Sequence, residues 1–198
     1  MSISIRLDAS ELVERMTFAS REAFNAIRSG LMKGAREARK DALETFARDS
    51  NLSDARARRA QPTVRSEGLT ASWSPSASAA NIASTAGANA TRKGGLTAST
   101  FVTTGGGSAN LVARHAFIIR AKGGTFAVNR TGFGPGTHRR VGLTKLYAES
   151  AATGMAQERA APRKTWESSA ETKVEAAISA ALQRTLDGYK VGADSGGE

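Results

Sequence analysis

The sequence predicts an α+β fold, and three observations carry that prediction. Two long stretches, one near each end of the chain, repeat apolar residues at helical spacing. Between them lie short runs with the two-residue alternation of strands, punctuated by glycine. One pair of those runs is separated only by Gly123-Gly124, the mark of a β-hairpin. The expected architecture is a long N-terminal helix packed on a small antiparallel sheet, with a C-terminal helix and a long Ala/Ser/Thr/Gly-rich loop or arm. A single domain over 1–190 is expected, with 74–95 as the extended loop or arm and 191–198 as a disordered tail.

Residues 2–7 place Ile3, Ile5 and Leu7 on one face of a short strand. Asp8 stands three residues before Glu11, an Asp version of the capping box that opens a helix. From there Leu12, Met16, Ala19, Ala23, Ile27, Leu31, Ala35, Ala38 and Ala42 recur at steps of three and four, one buried stripe of a helix over about 10–48. The stripe narrows to alanine, which permits close packing, while Gly30 and Gly34 weaken the helix and favour a bend. Residues 50–66 read as a polar, basic connection, and Leu69 to Trp73 as a strand. Residues 74–95 are mostly Ala, Ser, Thr, Asn and Gly, with few side chains able to form a core. Leu96 to Thr104 is strand-like and ends at Gly105-Gly106-Gly107. Ala116 to Lys122 and Thr125 to Arg130 form the hairpin; 131–141 is a Gly-rich loop, and Leu143 to Tyr147 leads into a helical segment broken near Pro162. The last helix is expected from about Lys164, with Trp166, Ala170, Val174, Ile178, Ala181, Leu182 and Leu186 buried.

Composition removes several function classes. With no cysteine, disulfides, thiol chemistry, Cys-based zinc sites and iron–sulfur clusters are excluded, and two histidines cannot build a His-rich metal site. No run of about 20 apolar residues is present, so no membrane partner is expected. The N-terminus lacks the order of a secretory signal, which points to a cytoplasmic site of synthesis and folding.

The placement of charge is more informative than the net +10. Between Gly68 and Ala148 there is no Asp or Glu, while Arg92, Lys93, Arg114, Arg120, Lys122, Arg130, Arg139, Arg140 and Lys145 supply nine of the ten excess positive charges. A basic face is often only a solvated surface. A carboxylate-free stretch of this length instead suits a surface that meets a polyanion, because a single carboxylate repels phosphates. Aromatic residues are sparse there, so the contact predicted is with a nucleic-acid backbone and not with bases.

Catalytic signatures are missing. Gly132-Phe133-Gly134-Pro135-Gly136-Thr137 lacks the Gly-Lys-Ser/Thr ending of a phosphate loop, and Pro135 removes an amide donor. His115 has no carboxylate nearby in sequence to orient it, and the acids elsewhere are interleaved with bases. No enzyme and no cofactor are expected.

Arg114-His115-Ala116-Phe117-Ile118-Ile119-Arg120-Ala121-Lys122-Gly123-Gly124, then Thr125-Phe126-Ala127-Val128-Asn129-Arg130, a Gly/Arg-rich loop and Val141-Gly142-Leu143-Thr144-Lys145-Leu146-Tyr147 form a recognisable series. It resembles the minor tail protein Z family of phages and prophages. That pattern has a Phe-Ile strand, a glycine turn, a Phe-x-Arg strand and a Leu-Tyr pair. Leu143-Thr144 stands where the family has Pro-Ile, and Ala148-Glu149-Ser150 where it has Gly-Pro-Ser. The resemblance implies a tail completion protein of the virion neck, assembled in the bacterial host cytoplasm and touching tail terminator, tail tube or head–tail connector proteins. It offers no catalytic residues.

Together these readings predict a structural virion protein that forms a homo-oligomeric ring, helps head–tail joining and lines or seals the DNA channel. Backbone contact with double-stranded DNA is part of the expectation. Arg114, Arg120, Lys122, Arg130, Arg139, Arg140 and Lys145 are the candidate DNA-facing or subunit-interface residues. The competing reading is a free basic nucleic-acid-binding protein without sequence specificity.

Overall fold

The structure, a computed structural model, describes residues 5–8, 21–91, 95–102, 107–122, 124–130 and 142–194. In chain order the elements are β1 (Ile5–Asp8), α1 (Arg21–Asp49), α2 (Asp54–Arg58), β2 (Arg65–Glu67), β3 (Thr70–Trp73), a 3-10 turn (Ile82–Ser84), β4 (Asn89–Thr91), β5 (Gly95–Val102), β6 (Gly107–Ala113), β7 (Ala116–Ala121), β8 (Gly124–Arg130), β9 (Leu143–Lys145), α3 (Ala151–Gly154) and α4 (Ala161–Asp194). The α+β class is therefore the observed one, with three three-stranded antiparallel sheets in the orders β1-β3-β2, β4-β5-β6 and β7-β8-β9. No helix among the described residues is long and apolar enough to cross a membrane.

The chain divides into two compact units: Met1–Ala42, Pro62–Pro75 and Lys164–Glu198 form the first, Leu43–Gln61 and Ser76–Arg163 the second. In the first unit the apolar stripe of α1 is buried at Ile27, Leu31, Ala35, Ala38 and Ala42, as its spacing predicts. Ala19 and the residues before it in the stripe, with the Asp8–Glu11 capping box, lie wholly or partly outside the described residues. α4 buries Trp166, Ala170, Ile178 and Ala181, whereas Leu186 is 56% exposed. β3 sits between β1 and β2, with Ile5 opposite Trp73 and Arg65 opposite Ser72. Trp73 and Trp166 are both 1% exposed, with ring centroids 5.2 Å apart.

The two helix glycines are contact points, and α1 continues through both of them. A Cβ on Gly30 would stand 2.6 Å from Ile178 Cα and one on Gly34 2.5 Å from Val174 Cα, so here the backbones of α1 and α4 meet directly. The helix loses about 1 kcal/mol of propensity at each glycine, and close backbone packing offsets that loss. α4 begins at Ala161, three residues before the predicted Lys164, because Pro162 falls in the first turn where its missing N–H is no loss. It reaches Asp194, so 191–194 of the expected disordered tail is helical; 195–198 lie outside the described residues.

Asp41 on α1 accepts hydrogen bonds from Lys173 Nζ and, at 2.9 Å, from Ser169 Oγ, both on α4. Partial burial pushes the Asp41 carboxyl upward. The Lys173 and Ser169 bonds and the charges of Lys173 and Lys40 outweigh it, and the pKa lies below its ordinary value.

The second unit is mainly β. Its two sheets share a core of Ile82, Leu96, Ala98, Ala116, Ala127 and Ala148, with Leu111, Ile118 and Leu146 packed against it. Gly95 opens β5 with φ +75, and a Cβ there would lie 2.3 Å from the Ala113 carbonyl, so both conformation and space demand glycine.

Of the stretch 74–95 expected as a loop or arm, residues 76–88 fold onto their own unit and do not project, while Asn89–Thr91 is strand β4, paired with β5. Ile82 and Thr85 are buried. Asn81 Oδ1 accepts from Ala127 N at 2.7 Å and from Ala83 N at 3.1 Å, while its Nδ2 donates to Ala127 O at 3.2 Å. Flanking backbone bonds, Ala148 N to Ala80 O and Ile82 N to Leu146 O, complete the pinning. Composition concealed this because the anchors are one amide side chain and the main chain, which hydropathy does not register.

Candidate polyanion-facing surface

The predicted hairpin is present, with one adjustment. Ala121 pairs with Gly124, so Gly124 belongs to the second strand and not to the expected Gly123-Gly124 turn. Strand alternation then sorts the side chains. Ala116, Ile118 and Ala127 face the core shared with the other sheet. Phe117, Ile119, Phe126 and Val128 lie on the opposite face, where β9 adds Leu143 and Lys145 beside Arg130 and Val128.

On that outer face the cations sit over aromatic rings. Arg130 Cζ lies 5.1 Å from the Phe117 centroid, and Lys145 Nζ lies 4.5 Å from that of Phe126. Each such pair contributes roughly 0.5–1 kcal/mol at an exposed site, and each holds its charge against the sheet. Leu143 is 56% exposed on the same face, and Val128 is buried beneath the larger side chains.

The five predicted residues that the structure describes do not form one cluster. Arg130 and Lys145 are gathered on the outer face of β8 and β9. Arg120 and Lys122 are exposed at the tip of the hairpin. Arg114 is exposed in the turn before β7, at the other end of that strand and about 20 Å from the tip at the usual rise per residue. Arg139 and Arg140, with His138 and the Gly/Pro loop, lie outside the described residues. The carboxylate-free stretch contains every described strand of the second unit, so neither of the two sheets described there carries an acid.

Sequence reading overlooked Arg56 and Arg59, placed within a connection. Arg56 lies in a short helix capped by Ser53, whose hydroxyl accepts from Arg56 N at 3.4 Å, and Arg59 is the C-cap of that helix; both are exposed. Arg58, between them, is instead paired with Glu44 at 2.5 Å and Asp54 at 3.6 Å. Arg56 and Arg59 line a cleft of about 430 Å³ whose opposite walls are the hairpin tip and the loop pinned by Asn81. The readable signal was the run Arg56-Ala57-Arg58-Arg59 after a capping serine. What it met in space was not readable.

Among the described residues no group of three or more His, Asp or Glu is placed to hold a metal ion. Comparison with protein-family models, curated proteins and solved structures finds no match for this chain.

Proposed function

We propose that this chain is a structural, non-enzymatic virion protein of a tailed bacteriophage. It is a minor tail or tail completion component at the head-proximal end of the tail, helping head–tail joining and lining or sealing the DNA channel. Its working form is a homo-oligomeric ring that touches tail terminator, tail tube or head–tail connector subunits.

The observation that carries this reading is the segregation of charge. The second unit holds fifteen Lys and Arg against five Asp and Glu, a formal +10, and the first holds thirteen against thirteen. A conduit for DNA needs a surface that tolerates phosphates without gripping any sequence. Exposed cations on carboxylate-free sheets meet that requirement through counterion release, not base contacts. The tail assignment in particular is supported by the motif at 114–150.

Sedimentation of the purified protein, joined to double-stranded DNA binding across a salt series, tests the proposal. Oligomers of ring size with weak, sequence-independent and salt-sensitive association are expected. A monomer with tight retention on heparin would instead favour the free nucleic-acid-binding protein. Deleting the coding sequence from a phage that carries it should leave DNA replication normal and particles defective; unchanged infectivity overturns the assignment.

A further inference from the structure

The cleft beside the hairpin has a chemistry of its own. One wall is Arg56 and Arg59; the others bring Ser78, Thr125, Phe126 and Tyr147 to the same space. Its volume of about 430 Å³ falls in the range of small-ligand sites, roughly 300–1,000 Å³. Among the described residues no carboxylate lines it. Neither Arg56 nor Arg59 makes an ion pair with a described residue, while Arg58 beside them makes two. Helical spacing separates the roles: Arg58 reaches back to Glu44 and Asp54, leaving its neighbours turned elsewhere.

The cleft is also held in shape. Asn81 spends its amide on Ala127 and Ala83, which fastens the loop carrying Ser78 to the strand carrying Phe126. Asn81 is therefore a positioning residue and not a ligand contact. Tyr147, 55% exposed at the rim, is bridged to Asn81 through the backbone. Lys145 stands over the Phe126 ring but is not itself a lining residue, so the cleft's cations are Arg56 and Arg59.

We propose that this cleft binds a phosphate group. Arg56 and Arg59 supply charge and forked N–H donors, the Ser78 and Thr125 hydroxyls supply neutral donors, and the Phe126 and Tyr147 rings flank the bound group. Guanidinium forks match phosphate oxygens two at a time, and hydroxyls complete the shell without adding repulsion. The phosphate belongs either to a nucleic-acid backbone or to a free small phosphate. The backbone choice rests on the function proposed above; the phosphate chemistry does not.

The test compares the full-length protein with R56A/R59A, using a short double-stranded DNA and inorganic pyrophosphate as separate probes. Both arginines are exposed, so the variant should melt within a few degrees of the parent, and R56K/R59K should retain part of the binding. For a backbone site, R56A/R59A should weaken DNA binding at least tenfold at low salt and lower the log–log salt slope by about two. Pyrophosphate should shift the amide resonances around Phe126 and Tyr147 in the parent only. Pyrophosphate binding that depends on these arginines, with no DNA binding by the parent, upholds the cleft with a free phosphate as its ligand and removes the polyanion reading. DNA binding that R56A/R59A leaves unchanged, with no pyrophosphate effect, overturns the cleft and leaves that reading standing. Loss of neither ligand on substitution overturns the proposal outright.

Discussion

The two units of this chain are stabilised by different means and carry different charge. The first is neutral by count and pairs two helices so closely that Gly30 and Gly34 meet the backbone of the partner helix, with two tryptophans closing the core. The second holds the whole excess of ten positive charges and is built mainly of short strands, around a core in which four of six buried members are alanine. Tight backbone packing tolerates little substitution, whereas a surface of exposed cations tolerates a great deal. The comparison teaches that stability and the proposed function are drawn from separate stretches of one small protein, so mutations should divide along the same line.

The largest effect is expected in the first unit. In an ordinary exposed helix, Gly→Ala stabilises by about 1 kcal/mol; here the sign should reverse. G30A/G34A forces two methyl groups into backbone 2.5–2.6 Å away and should cost about 5 kcal/mol or abolish cooperative unfolding in a thermal melt. A rise in melting temperature would erase the close-packing half of the comparison. In the second unit Gly95→Ala combines a left-handed φ with a 2.3 Å contact and should cost about 3 kcal/mol by chemical denaturation.

Smaller effects sharpen the contrast. Asn81→Ala removes three hydrogen bonds that hold the 76–88 loop and should cost about 2 kcal/mol, with amide exchange faster at Ala127 and Ala83. Asp41→Asn should cost about 1 kcal/mol or less, because the Asp41–Lys173 pair is partly open to solvent. Its pH dependence has a definite sign. A carboxyl held below its ordinary value of 3.8 contributes stability that is full above that pH and disappears as pH falls through the depressed value. The acid limb of the parent's stability curve should therefore be steeper than that of D41N. Smallest of all, R120A/K122A at the hairpin tip should change stability by under ~0.5 kcal/mol while lowering the salt dependence of DNA binding; an unchanged salt slope would separate the tip from any polyanion contact.

Much of this protein was legible before folding. The α+β class, the two apolar helix stripes, the β3 strand and the 116–130 hairpin followed from periodicity and glycine placement, because local backbone preference and one-sided burial leave a repeat in the sequence. The carboxylate-free stretch was equally plain, since charge is a property of composition. Tertiary structure alone decided the rest. It turned Gly30 and Gly34 from weak points into contacts, folded the alanine-rich loop down through Asn81, set Arg130 and Lys145 over two phenylalanine rings, and brought Arg56 and Arg59 to the hairpin tip. Each of those outcomes depends on contacts between residues far apart in the chain, and the energy of such a contact belongs to the pair and has no signature in either residue's own neighbourhood.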